Sequence, residues 1–341
     1  MSKSIFSAAH FNDEAAAYAY VEARVWPNGR VCPHCGVVDQ SGALKGKTNR
    51  IGLYKCYACR KPFSVKVGTI FEASHIAMRD WLAAIHLICS SKKGISANQL
   101  HRTLGITLKS AWFLSHRIRA AMDPMHDAPP EPTMGGPGKI IEMDETEIHP
   151  SKHTRKREGA TRQNNPKIMS LVERGGEVRS FHIDRVDHRT LKLVVKSNVR
   201  KESRHYTDGL MGYKNNAMEL EGGHESVDHS RGEYVRGDVH TNTVEGFFSV
   251  FKRGMVGTYQ HCGENHLHRY LAEFDFRASN RAKLGVNDED RSAKVVKGAV
   301  GNAKHHCHEA IDVDFIAMSR LEEVGDASND ILIDLDEFKD P

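Results

Sequence analysis

No stretch of this 341-residue chain approaches the roughly eighteen consecutive apolar residues of a membrane-spanning helix, so a soluble globular protein without membrane partners is expected. The N-terminus lacks the basic-then-apolar pattern of a secretory leader, since Asn12, Asp13 and Glu14 interrupt it, and the expected compartment is the cytosol. No heptad pattern declares a coiled-coil seam, and no Ser/His/Asp or Cys/His grouping suggests a protein nucleophile. Proline is sparse except in one place: five of the eleven lie between Asp123 and Gly138, with three glycines and almost no apolar periodicity, which marks residues 123–138 as a linker. Net charge is small at +4, but residues 321–341 hold eight acids against one lysine, leaving +11 on residues 1–320. A body that basic is compatible with a polyanionic partner.

Seven cysteines in a reducing compartment do not make a disulfide framework, so their spacing points to metal instead. Cys32-Pro-His-Cys35 and Cys56-Tyr-Ala-Cys59 are two knuckles twenty residues apart, the pattern that offers four thiolates to one tetrahedral Zn²⁺. A zinc ribbon is expected over residues 1–72. Cys89, Cys262 and Cys307 have no such partners, and the His-rich tracts around Cys262 and Cys307 read as polar surface.

After the ribbon, Trp81, Ala84, Ile85 and Ile88 recur with helical spacing. Ser96 can cap a short helix ending at Gly105, and Thr107 a second helix that turns Leu108, Ala111, Trp112 and Ile118 inward and Lys109, His116, Arg117 and Arg119 largely elsewhere. That punctuation predicts a helix-turn-helix-like DNA-binding region over residues 73–122, with Lys109 and Arg117 toward phosphates. Any helical hairpin with a central glycine reads similarly.

Beyond the linker, residues 139–148 form a predicted strand that carries Glu142, Asp144, Glu145 and Glu147 among apolar residues. Carboxylates in a strand interior are costly unless a cation neutralises them. Strands are predicted over 167–174 and 177–184, split by Gly175-Gly176; a helix follows from Arg189, then a strand ending at Asp208 and a short apolar piece at 225–227. From Thr243 the stripe Val244, Phe247, Phe248 and Phe251 is helical, and Glu245 shares a face with Lys252. This order suggests an α/β catalytic domain of RNase H-like architecture over residues 139–285, with 286–341 as an extension ending in the acidic tail. The basic run Arg155, Lys156, Arg157, and Lys252 with Arg253, are candidate phosphate contacts.

The blocks Glu142-Met-Asp144-Glu-Thr146, Tyr206-Thr-Asp208-Gly209 and His240-Thr-Asn242-Thr-Val-Glu245 through Arg253 resemble the signature blocks of DDE-type bacterial insertion-sequence transposases, the ISXO-like group in particular. The resemblance extends from about Phe11 to Arg281. It implies a catalytic triad of Asp144, Asp208 and Glu245 binding two Mg²⁺ or Mn²⁺ ions, a basic Lys252 two turns after the acid, and double-stranded DNA as partner, with self-association when two ends are joined. It also leaves Asn242 as a rival third residue, because members of the group can use Asn there. The implied function is binding of element ends followed by metal-dependent strand cleavage and strand transfer, without a small-molecule substrate. Two other functions remain open at this point: a regulator with an inactive catalytic domain, and a nuclease that cuts without joining.

Overall fold

The computed structural model describes residues 4–46, 49–123, 134–148, 165–208, 221–260 and 262–300. Two short N-terminal helices, α1 (Ala9–Asn12) and α2 (Glu14–Val25), lead into three small antiparallel strands, β1 (Ser41–Ala43), β2 (Tyr54–Cys56) and β3 (Pro62–Phe63). Strands this short bury little: Cys32, Cys56 and Phe63 are the interior of this ribbon, with Trp26 and Tyr54 packed against them. Helices α3 (Met78–Ser90), α4 (Ala97–Leu104) and α5 (Leu108–Ala121) follow. Their ends are set by the residues that sequence singled out. The Ser96 side chain accepts from the Gln99 amide and that of Thr107 from the Ser110 amide, while Gly105 takes the left-handed φ of 66° that ends α4 and that a side chain would strain.

The remaining described residues form one five-stranded mixed sheet with its covering helices, followed by a last helix that packs on the core of α3, α4 and α5. In chain order these are β4 (Ile140–Glu147), β5 (Lys167–Glu173), β6 (Val178–Ile183), α6 (His188–Asn198), β7 (Arg204–Asp208), β8 (His224–Val227), α7 (Asn242–Gly254), α8 (Leu267–Ser279) and α9 (Asp288–Lys297). The sheet runs β6-β5-β4-β7-β8, antiparallel on the β5 side of β4 and parallel on the β7 side. Alternation along β5 divides its faces: Met169 and Leu171 join Ile141, Met143, Leu191 and Val195 under α6, whereas Ile168 and Val172 join Val244, Phe248, Phe251 and Phe274 under α7 and α8. Because Ile141 and Met143 face α6, Glu142 and Asp144 of the same strand face the α7 side. No helix among the described residues is long and apolar enough to cross a membrane.

Tertiary packing departs from the linear reading in two places. The core of α3, α4 and α5 also takes Val21 from α2 and Val295 and Val296 from α9, so it spans residues on both sides of positions 72 and 285. Neither α2 nor α9 is long enough to be stable alone, and their apolar stripes are buried only by joining it. The second departure concerns α5. Leu108 and Trp112, expected inward, are 46% and 39% exposed, while His116 and Arg119, expected on the polar side, are each 2% exposed. The cause is α8, which packs on that polar side: Arg119 Nε donates to Glu273 Oε2 at 2.6 Å, Arg277 pairs with the same carboxylate, and His116 lies edge-on to Tyr270.

Burial alone would raise the Glu273 carboxyl, but Arg277 and Arg119 outweigh it and hold it below the usual carboxylate range. Replacing Glu273 with Gln strands two buried guanidinium groups and is expected to cost about 3–5 kcal/mol. A urea midpoint within experimental error of wild type would contradict that expectation.

Candidate active site and metal centre

The two knuckles close on each other. Gly36 (φ 75°) and Arg60 (φ 61°) supply the left-handed turns after each Cys pair, and backbone bonds from Gly36 N to Cys32 O (2.9 Å) and Cys56 N to Lys61 O (3.1 Å) tighten them. Cys32 and Cys59 Sγ lie 3.7 Å apart, as do Cys35 and Cys56 Sγ, and all four sulfurs fall within 4.8 Å of one another. The Cys59 backbone N–H is the largest influence drawing the Cys56 thiol down to about 7. Four soft sulfur donors at tetrahedral spacing fit Zn²⁺, and metal would replace the thiol protons. Among the described residues no other group of three or more His, Cys, Asp or Glu ligand atoms lies this close together.

The carboxylates form a looser cluster. Met143 pairs with Thr207 in the parallel β4–β7 register, so Asp144 and Asp208 are the next residues along two adjacent central strands. Glu245 sits in the first turn of α7, which covers this face. Burial first, then the charges of Asp208 and Glu245, push the Asp144 carboxyl up to about 7, while Lys252 pulls the other way. Asp208, Glu245 and Lys252 are thus each within electrostatic reach of Asp144. Glu145 joins them: burial, Asp144 and Asp208 raise it to about 8. Thr241 Oγ1 donates to Glu245 Oε1 at 3.0 Å, and His229 Nε2 lies 3.6 Å from the same oxygen. Asn242, the first residue of α7, is exposed. Hard oxygen donors that burial, and then one another's charge, keep protonated near neutrality suit Mg²⁺ or Mn²⁺.

The raised Asp144 carboxyl has a measurable consequence for the cation-free protein. An acid whose folded-state pKa is raised contributes stability that is present at low pH and lost as pH rises toward the folded value. Metal-free wild type is therefore expected to lose stability relative to Asp144→Asn between about pH 4 and pH 7, the reference and shifted values of Asp144. Thermal melts of both proteins across that range check it, and parallel curves would show that Asp144 carries no such strain.

The basic residues fare unequally. Lys109 is exposed near the start of α5 and lines, with His75, Phe113 and Arg117, a hollow of about 320 Å³. Arg117 is engaged internally, its Nη1 donating to the carbonyls of Ile70 (3.2 Å) and Glu72 (2.6 Å). Lys252 and Arg253 are exposed on α7, and Arg253 Nε donates to Ser249 O at 3.0 Å. Arg155, Lys156 and Arg157 lie outside the described residues, as does the acidic tail.

Sequence reasoning missed three participants near the carboxylates: Glu142 as a fully buried group, Arg174 as its partner, and His229 beside Glu245. Glu142 left a trace in the sequence as an acid in the apolar part of a strand, and His229 as part of the Val227-Asp228-His229-Ser230 block of the family resemblance, but neither was given this place; Arg174 left none.

Residues 135–279 match the family described as the ISXO2-like transposase domain, and residues 12–62 match the transposase zinc-ribbon domain. An uncharacterized protein in transposable element ISH50 of Halobacterium salinarum is 26% identical over 274 residues, covering 76% of this chain and 89% of that protein.

Proposed function

We propose that this chain, which belongs to the ISXO2-like transposase family, binds the ends of an insertion sequence and carries out metal-dependent strand cleavage and strand transfer. The observation that carries the reading is the convergence of Asp144, Asp208 and Glu245, with Lys252, on one face of the sheet. The order β6-β5-β4-β7-β8, with an acid on the central strand, a second on its parallel neighbour and a third on a covering helix, supports an RNase H-like domain. The exposed start of α5 after the Gly105 turn supports a helix-turn-helix role for α4 and α5.

In this reading Asp144, Asp208 and Glu245 hold Mg²⁺ or Mn²⁺, which when bound activates the attacking water or 3′-hydroxyl and stabilises the leaving oxygen. Lys252 and Arg253 offer positive charge to the phosphates on either side, and Thr241 holds one Glu245 oxygen in place. Two copies of the chain would bring two ends together.

The test is incubation of purified protein, Mg²⁺ and DNA bearing the flanking inverted repeats. Joined products are expected; cutting without joining would favour a nuclease, and binding without either a regulator. Lys109→Ala is expected to lower end affinity and flatten its log–log salt dependence by about 0.9, the contribution of one phosphate contact. An unchanged slope would move the recognition surface elsewhere. Arg117→Ala is expected to lower stability instead, since its guanidinium closes on two backbone carbonyls.

A further inference from the structure

Glu142 lies on central strand β4 with no exposed surface. A carboxylate there is expensive unless its charge and lone pairs are met. Here they are: the Thr243 and Val244 amides donate to Oε2 at 2.7 and 3.1 Å, Thr243 Oγ1 donates to Oε1 at 2.8 Å, and Arg174 Nε donates to Oε1 at 2.5 Å. The two amides belong to the first turn of α7, whose N–H groups have no intrahelical partner and whose dipole favours an anion. Glu142 thus fastens the start of α7 to the middle of the sheet.

Arg174 spreads the attachment further. Its Nη1 donates to Asp238 O and Oδ1, both at 2.9 Å, and its Nη2 donates to His240 O at 2.9 Å, on the segment that enters α7. Its guanidinium also lies 4.9 Å from the centre of the Tyr206 ring on β7, and Glu142 and Tyr206 are registered partners across β4 and β7.

A positional rule emerges. Glu142, Tyr206 and Thr243 each precede, by two residues, one of Asp144, Asp208 and Glu245. On a strand, residues two apart share a face; on the helix the same offset turns the side chains about 200° apart, so there the link is through the backbone of the first turn and not a shared face. The ionic layer therefore lies one same-face step from Asp144 and Asp208 along β4 and β7, and through Thr243 and Val244 it touches the first turn that carries Glu245.

We infer that Glu142, neutralised by Arg174, is a positioning residue that sets the distance of Glu245 from Asp144 and Asp208. The inference rests on the proposed roles of those three acids. An apolar layer would hold the helix at lower desolvation cost but would let it slide, whereas directed bonds to two named amides fix both its height and its rotation.

The experiment compares full-length wild type with Glu142→Gln, which keeps the shape and one acceptor but loses the charge. Three quantities are read: affinity for end DNA, cleavage rate at saturating DNA and Mn²⁺, and Mn²⁺ binding by electron paramagnetic resonance with Asp144→Asn as the blank. DNA affinity is expected to hold. Mn²⁺ binding is expected to weaken by roughly tenfold or more, the usual effect of losing a group that orients ligands. Cleavage at saturating DNA is expected to fall on the order of 100-fold, as a loss in kcat and not KM. Unchanged Mn²⁺ binding and cleavage in folded Glu142→Gln, even with a lowered melting temperature, would overturn the inference and leave Glu142 merely structural. If Glu142→Gln does not fold, Arg174→Lys decides by the same criteria, since it keeps the charge but loses the guanidinium fan. Should wild type neither cut nor join, the proposed function fails, while Mn²⁺ binding still decides the positioning role.

Discussion

Removing zinc is expected to unfold the ribbon while leaving the larger domains folded. The ribbon's interior is Cys32, Cys56 and Phe63 with a few partly buried neighbours, too little apolar surface to offset the entropy of ordering about forty residues. Structural zinc contributes about 10–16 kcal/mol of apparent binding free energy in comparable small modules, so the ribbon's stability is mostly the metal's. The helical core and the sheet hold no part of the four-thiol cluster and should survive. Trp26 reports the event: its ring sits 5.9 Å from Phe63 and 6.2 Å from Tyr54, contacts that vanish when the ribbon opens. Chelation, or Cys56→Ser, should therefore change tryptophan emission and abolish end binding, with little loss of helical circular dichroism. One zinc per chain by metal analysis is expected; none, or a chelated protein with native emission, would sink this account.

Asp144→Asn, Asp208→Asn and Glu245→Gln are each expected to reduce strand cleavage and joining on the order of 10³-fold with end binding retained. Metal clamping of a phosphoryl transition state is worth several kcal/mol, and each 1.36 kcal/mol is about a decade in rate. Asn242 provides the internal control. Both it and Glu245 are exposed, but Glu245 is held by Thr241 and its charge acts on Asp144. Asn242→Ala should thus cost far less than Glu245→Gln; the reverse order would transfer the third role to Asn242. If all three acid variants joined DNA undiminished, the triad would be wrong.

Much of this was legible from residue order because the signals are local. Paired Cys spacings need only a tight turn, caps such as Ser96 and Thr107 act within three residues, and strand and helix periodicities are read within a window of ten. Asp144, Asp208 and Glu245 were singled out by the family resemblance of the blocks that carry them, not by local pattern. What α5 buries was not legible. Its polar side looked solvent-facing until α8, about 150 residues later in the chain, supplied Glu273 to take Arg119. Arg117 likewise read as a phosphate contact, since the carbonyls it serves carry no sequence mark.

The sequence alone determined the four-thiol centre and the strands of the second domain in chain order, since spacing and alternation specify these without knowledge of distant partners; the choice of Asp144, Asp208 and Glu245 among the acids came from the family resemblance. The body of +11 and the acidic tail are also sequence facts, and no distant contact alters them. Tertiary structure decided which charges are structural. Glu142 and Asp144 stand two residues apart on one strand and look alike in sequence, yet one meets helix amides and a guanidinium, and the other meets carboxylates. That difference depends on where α7 and Arg174 arrive in space, and burial turns it from a nuance into the main term: a charge removed from water must be answered locally, by bonds that hold the fold or by a cation that does chemistry.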